Sequence, residues 1–264
     1  MKSVSYSLGI TAGLLLSTAQ IGFAQSACDD SSSPTITCDT SGAGFRDRGL
    51  DNADLTVTSS GDIEETRRGP AIHLGDDADV QVDGSVLAED GSGIVVGADG
   101  EVTVGVNGSV SSEGTSRSDD DHAIRGLAGL IATINGFVST LNGDGIFGLK
   151  DSEIDISDTA TISSGDDGVN VGPNSKVTNA GTIEAKDEGI EVGRYSEVTN
   201  SGKITAVGNG IEGASDLRII NTSTGVIISE VMQEDERGGN GVLDVFEMRM
   251  ASKRVMTCLF KTTA

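Results

Sequence analysis

Five carboxylates fall on a beat. Asp144 is followed by Asp166-Asp167 and then by Asp187-Glu188, each group one 21- to 23-residue step after the last. Paired carboxylates at a fixed separation suit an inverting glycosidase, which holds a general acid and a general base about 6.5–9.5 Å apart. Stacked acids also repel one another, and a hard cation such as Ca²⁺ would relieve that repulsion. The plainer account is turn chemistry, since Asn209 continues the series and Asp and Asn are favoured turn residues. No G-G-x-G-x-D run accompanies them, so a solvated acidic edge is expected, with no metal and no cofactor.

The remaining reactive side chains are few. His73 lies in "AIHLG", where an outward or edge position is expected, and His122 lies in the acidic "SRSDDDHAI", expected to be a solvated loop. Cys28 and Cys38 are close enough to close a disulfide, which leaves Cys258 over. The sequons at Asn107 and Asn221 read as coincidental.

The elements that would position these groups repeat. "GI" at Gly145-Ile146, "GV" at Gly168-Val169, and "GI" at Gly189-Ile190 and Gly210-Ile211 place apolar residues 23, 21 and 21 apart. Ile124 precedes Ile146 by 22, and Ile72 precedes Ile94 by 22. The 30-residue step from Ile94 to Ile124 contains "SEGTSRSDDD" (Ser112 to Asp121), expected to leave the scaffold as a loop. Between these beats stand "VQVDGSV", "VGVNGSV", "KVTNAGTI" and "EVTNSGKI". Short β-branched alternations broken by Gly, Asn and Asp read as strands and turns. A unit of this length holds about three strands of four or five residues, and stacking units at ~4.8 Å pairs their backbones. One unit cannot bury its apolar face alone, so the stack is the folding unit. The expectation is an all-β parallel β-helix of about eight coils over residues 45–228.

Asn179, Asn200 and Asn221 are spaced by 21 and 21. They are expected to stack as an amide ladder inside a turn, with Gly181 and Gly202 taking a positive φ beside them. The ladder is scaffold, not chemistry.

Composition narrows the class. The chain has 264 residues, 37 Gly, 3 Pro, no Trp and a formal net charge of −23. So few aromatics leave little for a single thick core. The acidic balance and the lack of a basic stripe exclude nucleic acid and disfavour anionic membrane. Residues 1–24 read as a signal peptide: Lys2, the apolar "LGITAGLLLSTAQIGFA", then Gly22 and Ala24 before the cleavage point. The mature chain is expected to start at Gln25, with no membrane span of its own. Residues 25–44 are expected to form a disulfide-closed cap and 229–264 an atypical tail, either a cap or an out-of-frame end.

Signal, Cys pair and coils of the form "GI-x-V … V-T-N-s-G-x-I" resemble the passenger domains of Gram-negative autotransporters, over roughly Thr35 to Ile228. The resemblance implies a right-handed parallel β-helix and a non-enzymatic role in adhesion to host-cell or matrix surfaces, or in self-association. It also implies display at the cell surface or outer membrane. Only 36 residues follow Ile228, too few for a barrel of ~8 strands, so this chain alone is expected in the periplasm. An alternative is a degenerate pectin hydrolase: "NGDGI" (Asn142 to Ile146) and "SGDDGV" (Ser164 to Val169) are similar to polygalacturonase motifs. That resemblance makes Asp144 the general acid, with Asp166 and Asp167 activating water. The family's remaining motifs fail: in place of G-H-G stands "DEGIEVG", with Glu188 at the His position, and R-I-K is met only by "RII" at Arg218 to Ile220, without the substrate-binding Lys.

Overall fold

In the computed structural model, described over residues 27–32, 34–114, 121–229 and 256–259, each coil lays one short strand on each of three sheets. Val169–Val171, Lys176–Asn179 and Thr182–Ala185 form one such coil. The next, Ile190–Val192, Glu197–Asn200 and Lys203–Ala206, pairs with it strand for strand in parallel. Repetition of this step gives a parallel β-solenoid of about nine turns, and no helix occurs among the described residues. In each coil the chain visits the first sheet (from Thr35–Cys38), the second (from Ser41–Gly42) and the third (from Phe45–Arg46). At the spacing of paired strands, nine turns make a rod about 40 Å long.

Alternation decides what each strand buries. Strands such as Lys176–Asn179 and Ile190–Val192 turn every second residue inward, as the period of two requires. The inward positions of successive coils stack into columns. Ile72, Ile94, Ile124, Ile146, Val169, Ile190 and Ile211 form one on the third sheet, and all are buried. The core is therefore a narrow shaft of Ile and Val running the length of the rod, which explains how the chain manages without Trp.

Both ends of the first sheet are covered by antiparallel strands. Cys28–Ser32 lies on Thr35–Cys38, with Cys28 opposite Cys38 and a disulfide joining them. Thr35–Cys38 itself pairs in parallel with Asp54–Val57, so the disulfide closes onto the first coil. At the other end Met256–Leu259 pairs antiparallel with Arg218–Asn221. Paired ends leave less open edge for another chain to extend.

The ladder is present, in a different place from the one expected. Asn179 Nδ2 donates to Asn200 Oδ1 at 2.8 Å, and Asn200 Nδ2 donates to Asn221 Oδ1 at 2.8 Å. All three are buried, at the last position of a first-sheet strand. That column is filled earlier by Val57, Val82, Val104, Ile134 and Ile156. The amides thus replace aliphatic side chains inside the shaft, where each buried polar group meets the next.

The glycines beside the ladder also need a corrected reason. Gly181 and Gly202 are not among the positive-φ residues. A side chain at Gly181 would run into the carbonyl oxygen of Ser157, and one at Gly202 into that of Gly181. Close backbone stacking, not a left-handed φ, demands glycine there. Apart from Gly69 and Gly91, positive φ falls at the corner between the third and first sheets. Asn52, Asp77, Asp99, Gly129, Asp151, Asn174, Tyr195 and Asp216 occupy it, one per coil. Each donates its N–H to a carbonyl of the next coil where one follows, as Asp151 does to Pro173 and Tyr195 to Ser215. Asn and Asp tolerate that conformation better than other side chains; Tyr195 is the exception.

Candidate interaction surface and acidic corner

The corner between the second and third sheets gathers the carboxylates singled out by the beat. His122, Asp144, Asp167, Glu188 and Asn209 each stand two residues before a stacked Ile or Val, so they share one column. The side chains are tied from rung to rung. The N–H of Asp144 donates to His122 Nδ1 at 3.2 Å, that of Asp167 to Asp144 Oδ1 at 3.2 Å, and that of Glu188 to Asp167 Oδ1 at 2.9 Å. Asn170 Nδ2 bridges Asp167 Oδ2 and Glu191 Oε2, at 2.9 and 2.8 Å. Asp144 and Asp167 are buried, while Asp166 and Asp187 point out into solvent.

Burial and crowding raise the affinity of this corner for protons. Burial, then the charge of Asp167, pushes Asp144 up to about 8, against the lowering effect of the Asp167 N–H. Glu188 rises to about 9, through burial and then its contacts with Asp167 and Asp187. Glu191 rises to about 7 through burial and Asp167. Chemically the corner can hold protons, or gather a cation: ligand oxygens of Asp166, Asp167 and Asp187 lie within 4.8 Å of one another. With one oxygen from each, these residues would supply three of the six to eight oxygens that Ca²⁺ takes.

His122 corrects the sequence reading. It is buried, not in a solvated loop, and its ring stacks on Phe147 with centroids 4.7 Å apart. Its Oδ2 neighbour on Asp144 is 3.4 Å from Nδ1. The insertion is corrected at its edges too. Ser112 ends a second-sheet strand and Asp121 is buried. Ser112 Oγ lies 2.7 Å from the carbonyl oxygen of Gly91 and 3.0 Å from that of Asp121, and its one O–H is shared between them. Only 115–120, the middle of the expected loop, lie outside the described residues.

Of the residues named for hydrolysis, Asp144 and Asp167 meet on adjacent rungs and Asp166 stands beside them. Arg218 does not join them: it lies on the first sheet and pairs with Glu197 at 2.6 Å. His73 sits half-buried on the outward face of the third sheet.

That outward face carries no sequence motif of its own. Its column reads Arg46, His73, Val95, Arg125, Phe147, Asn170, Glu191 and Glu212. Charge therefore runs from positive to negative along the rod, and the Arg125 guanidinium carbon lies 6.0 Å from the centroid of the Phe147 ring. The signal was legible, since each "GI-x-V" hides the outward, half-buried residue at x. Around the rod at the same level stand Leu127, Ile131, Phe137, Leu141 and Leu149, between 40% and 51% exposed. These are five of the eight large exposed apolar residues among the described ones, so the apolar surface is concentrated in the middle of the rod.

No protein-family model matches this chain, and no curated protein or solved structure does. Function has to be argued from the surface itself.

Proposed function

We propose that the chain is an exported, non-enzymatic solenoid of the autotransporter-passenger type, whose rod serves adhesion or self-association. The carrying observation is the apolar girdle at Leu127, Ile131, Phe137, Leu141 and Leu149. Apolar side chains gathered on an otherwise strongly acidic surface favour contact with another surface over contact with water. Flanking the girdle, one face grades from Arg46 to Glu212, which supplies complementary ends for partner choice. A rigid rod made of repeating coils suits extended contact better than it suits a catalytic cleft.

Pectin hydrolysis is the second reading, and the raised pKa of Asp144 is the property a general acid would need. Against it, Asp144 and Asp167 are buried and accept N–H bonds from the following coil. Oxygens so committed are poorly placed to reach a sugar.

Sedimentation of the mature chain over a concentration series, with binding to immobilised cell-surface and matrix preparations, tests the proposal. Leu127→Lys with Leu149→Lys should abolish association or adhesion while leaving the melting curve in place. A chain that stays monomeric and binds neither preparation refutes it. Release of reducing sugar from polygalacturonate, lost in Asp167→Asn, would favour the hydrolase. Export is tested separately, by cleavage before Gln25 and recovery outside the cytoplasm.

A further inference from the structure

The chain carries 18 Lys and Arg against 41 Asp and Glu, yet several of its cations converge. A cavity of about 220 Å³ on the third sheet is lined by Arg48, Arg68, His73 and Arg125. His73 and Arg125 come from the outward column, two rungs apart, with Val95 between them. Arg48 follows the first third-sheet strand and Arg68 precedes the second. Guanidinium groups therefore approach from both ends of the strands as well as from the face.

Part of the lining is bare backbone. Gly69 and Gly91 line the cavity on adjacent rungs, and a side chain on Gly91 would strike the Gly69 backbone. Arg46 is already committed, bonded to Glu65 at 2.9 Å and to the Pro70 carbonyl at 2.5 Å. Arg48 and Arg68 are exposed, and neither side chain makes a hydrogen bond or ion pair among the described residues. Asp90 and Asp121 also line the cavity and set its negative side; the Asp121 carboxylate is turned against Gly114. Among the described residues, three guanidinium groups thus line the cavity with two carboxylates, an excess of positive charge on a strongly negative chain.

We propose that this cavity is a binding site for an oxyanion, a sulfate, phosphate or carboxylate group held by the forks of Arg48 and Arg68 and backed by Arg125. Guanidinium matches such groups in two-point geometry. The volume falls below the ~300–1,000 Å³ typical of drug-sized ligands, so the occupant is one anionic group, free or carried on a single sugar unit. His73 fits this use. Burial, then the charges of Arg48, Arg125 and Arg46, lower its proton affinity, so the anion-free ring favours its neutral form, which still carries one N–H to donate. The inference stands independently of the adhesion reading, because none of the five girdle residues lines the cavity.

The test follows the His73 ring signals by NMR in the mature chain, in low-salt buffer. Sodium sulfate, sodium phosphate, glucuronate and uncharged glucose are titrated in turn. Saturable shifts with sulfate or phosphate would identify a free-anion site. Shifts with glucuronate but not with the inorganic ions would identify a site that also reads the sugar. Either result supports the proposal, and glucose should do nothing. Arg48→Gln with Arg68→Gln should weaken binding at least tenfold with an unchanged melting curve. Arg68→Gln alone, read the same way, serves if the double variant misfolds. An unmoved His73 with all three anions overturns the proposal, as does binding that survives loss of both Arg.

Discussion

The backbone N–H of Asp167 donates to Oδ1 of Asp144, a full coil earlier in the chain, at 3.2 Å. The carboxyl that accepts it is buried and holds its proton up to about pH 8. Unfolded, the same group ionises near pH 4. Between those values the folded chain binds more protons than the unfolded one, so stability falls as pH rises through the interval. Glu188 and Glu191, raised to about 9 and about 7, act in the same direction. The protein should therefore melt at a higher temperature at pH 5 than at pH 9. Asp144→Asn keeps an acceptor for the Asp167 N–H and removes one titration, so its melting temperature should depend less on pH. An undiminished slope in that variant would show that Asp144 does not titrate in this range.

Asn200 is the middle rung of the buried ladder, accepting from Asn179 and donating to Asn221. Leu fills similar space but leaves an amide N–H and a carbonyl oxygen without their partner. The expected cost is about 2–4 kcal/mol, from two buried groups stripped of a bond. Urea unfolding measures it. A variant as stable as the parent would mean that the column accepts aliphatic residues at this level as it does at Ile156.

Tyr195 holds a φ of 61° at a corner where most coils place Asn or Asp. Its side chain is 60% exposed and packs little. Tyr195→Asn should therefore stabilise the rod by about 0.5–1 kcal/mol, since Asn accepts left-handed backbone more readily. A rise in the urea midpoint is the expected reading, and a fall would show that the ring makes contacts worth more than the backbone relief.

Deletion of 115–120 and deletion of Ser112 to Asp121 should behave differently. The shorter cut leaves Ser112 and its bonds to the Gly91 and Asp121 carbonyls. The strand Ser109–Ser112 also pairs with both neighbours. With a two-glycine join, the shorter cut should shift the melting temperature by no more than a few degrees, because loop length is thermodynamically cheap to change. The longer cut removes buried Asp121 and should unfold the coil. Equal melting curves for the two would place the edges of the rod elsewhere.

The sequence by itself determined the period, the strand character of each unit and the parallel stacking, because a solenoid repeats one local rule. It also singled out the three amides and the five carboxylates, whose spacing equals the coil. The tertiary structure decided which face each of them meets. Asn179, Asn200 and Asn221 turned out to replace Val and Ile in the shaft, because strand parity assigns the last residue inward. Gly181 and Gly202 are glycine because the neighbouring coil's carbonyls leave no space, a constraint absent from any single coil. His122 reads as a loop residue beside an acidic run, yet stacking on Phe147 from the next coil buries it. Arg48, Arg68, His73 and Arg125 share no motif and span four coils with unequal steps. Only the lateral register of parallel strands brings them to one cavity, since proximity across coils depends on where each insertion leaves the rod.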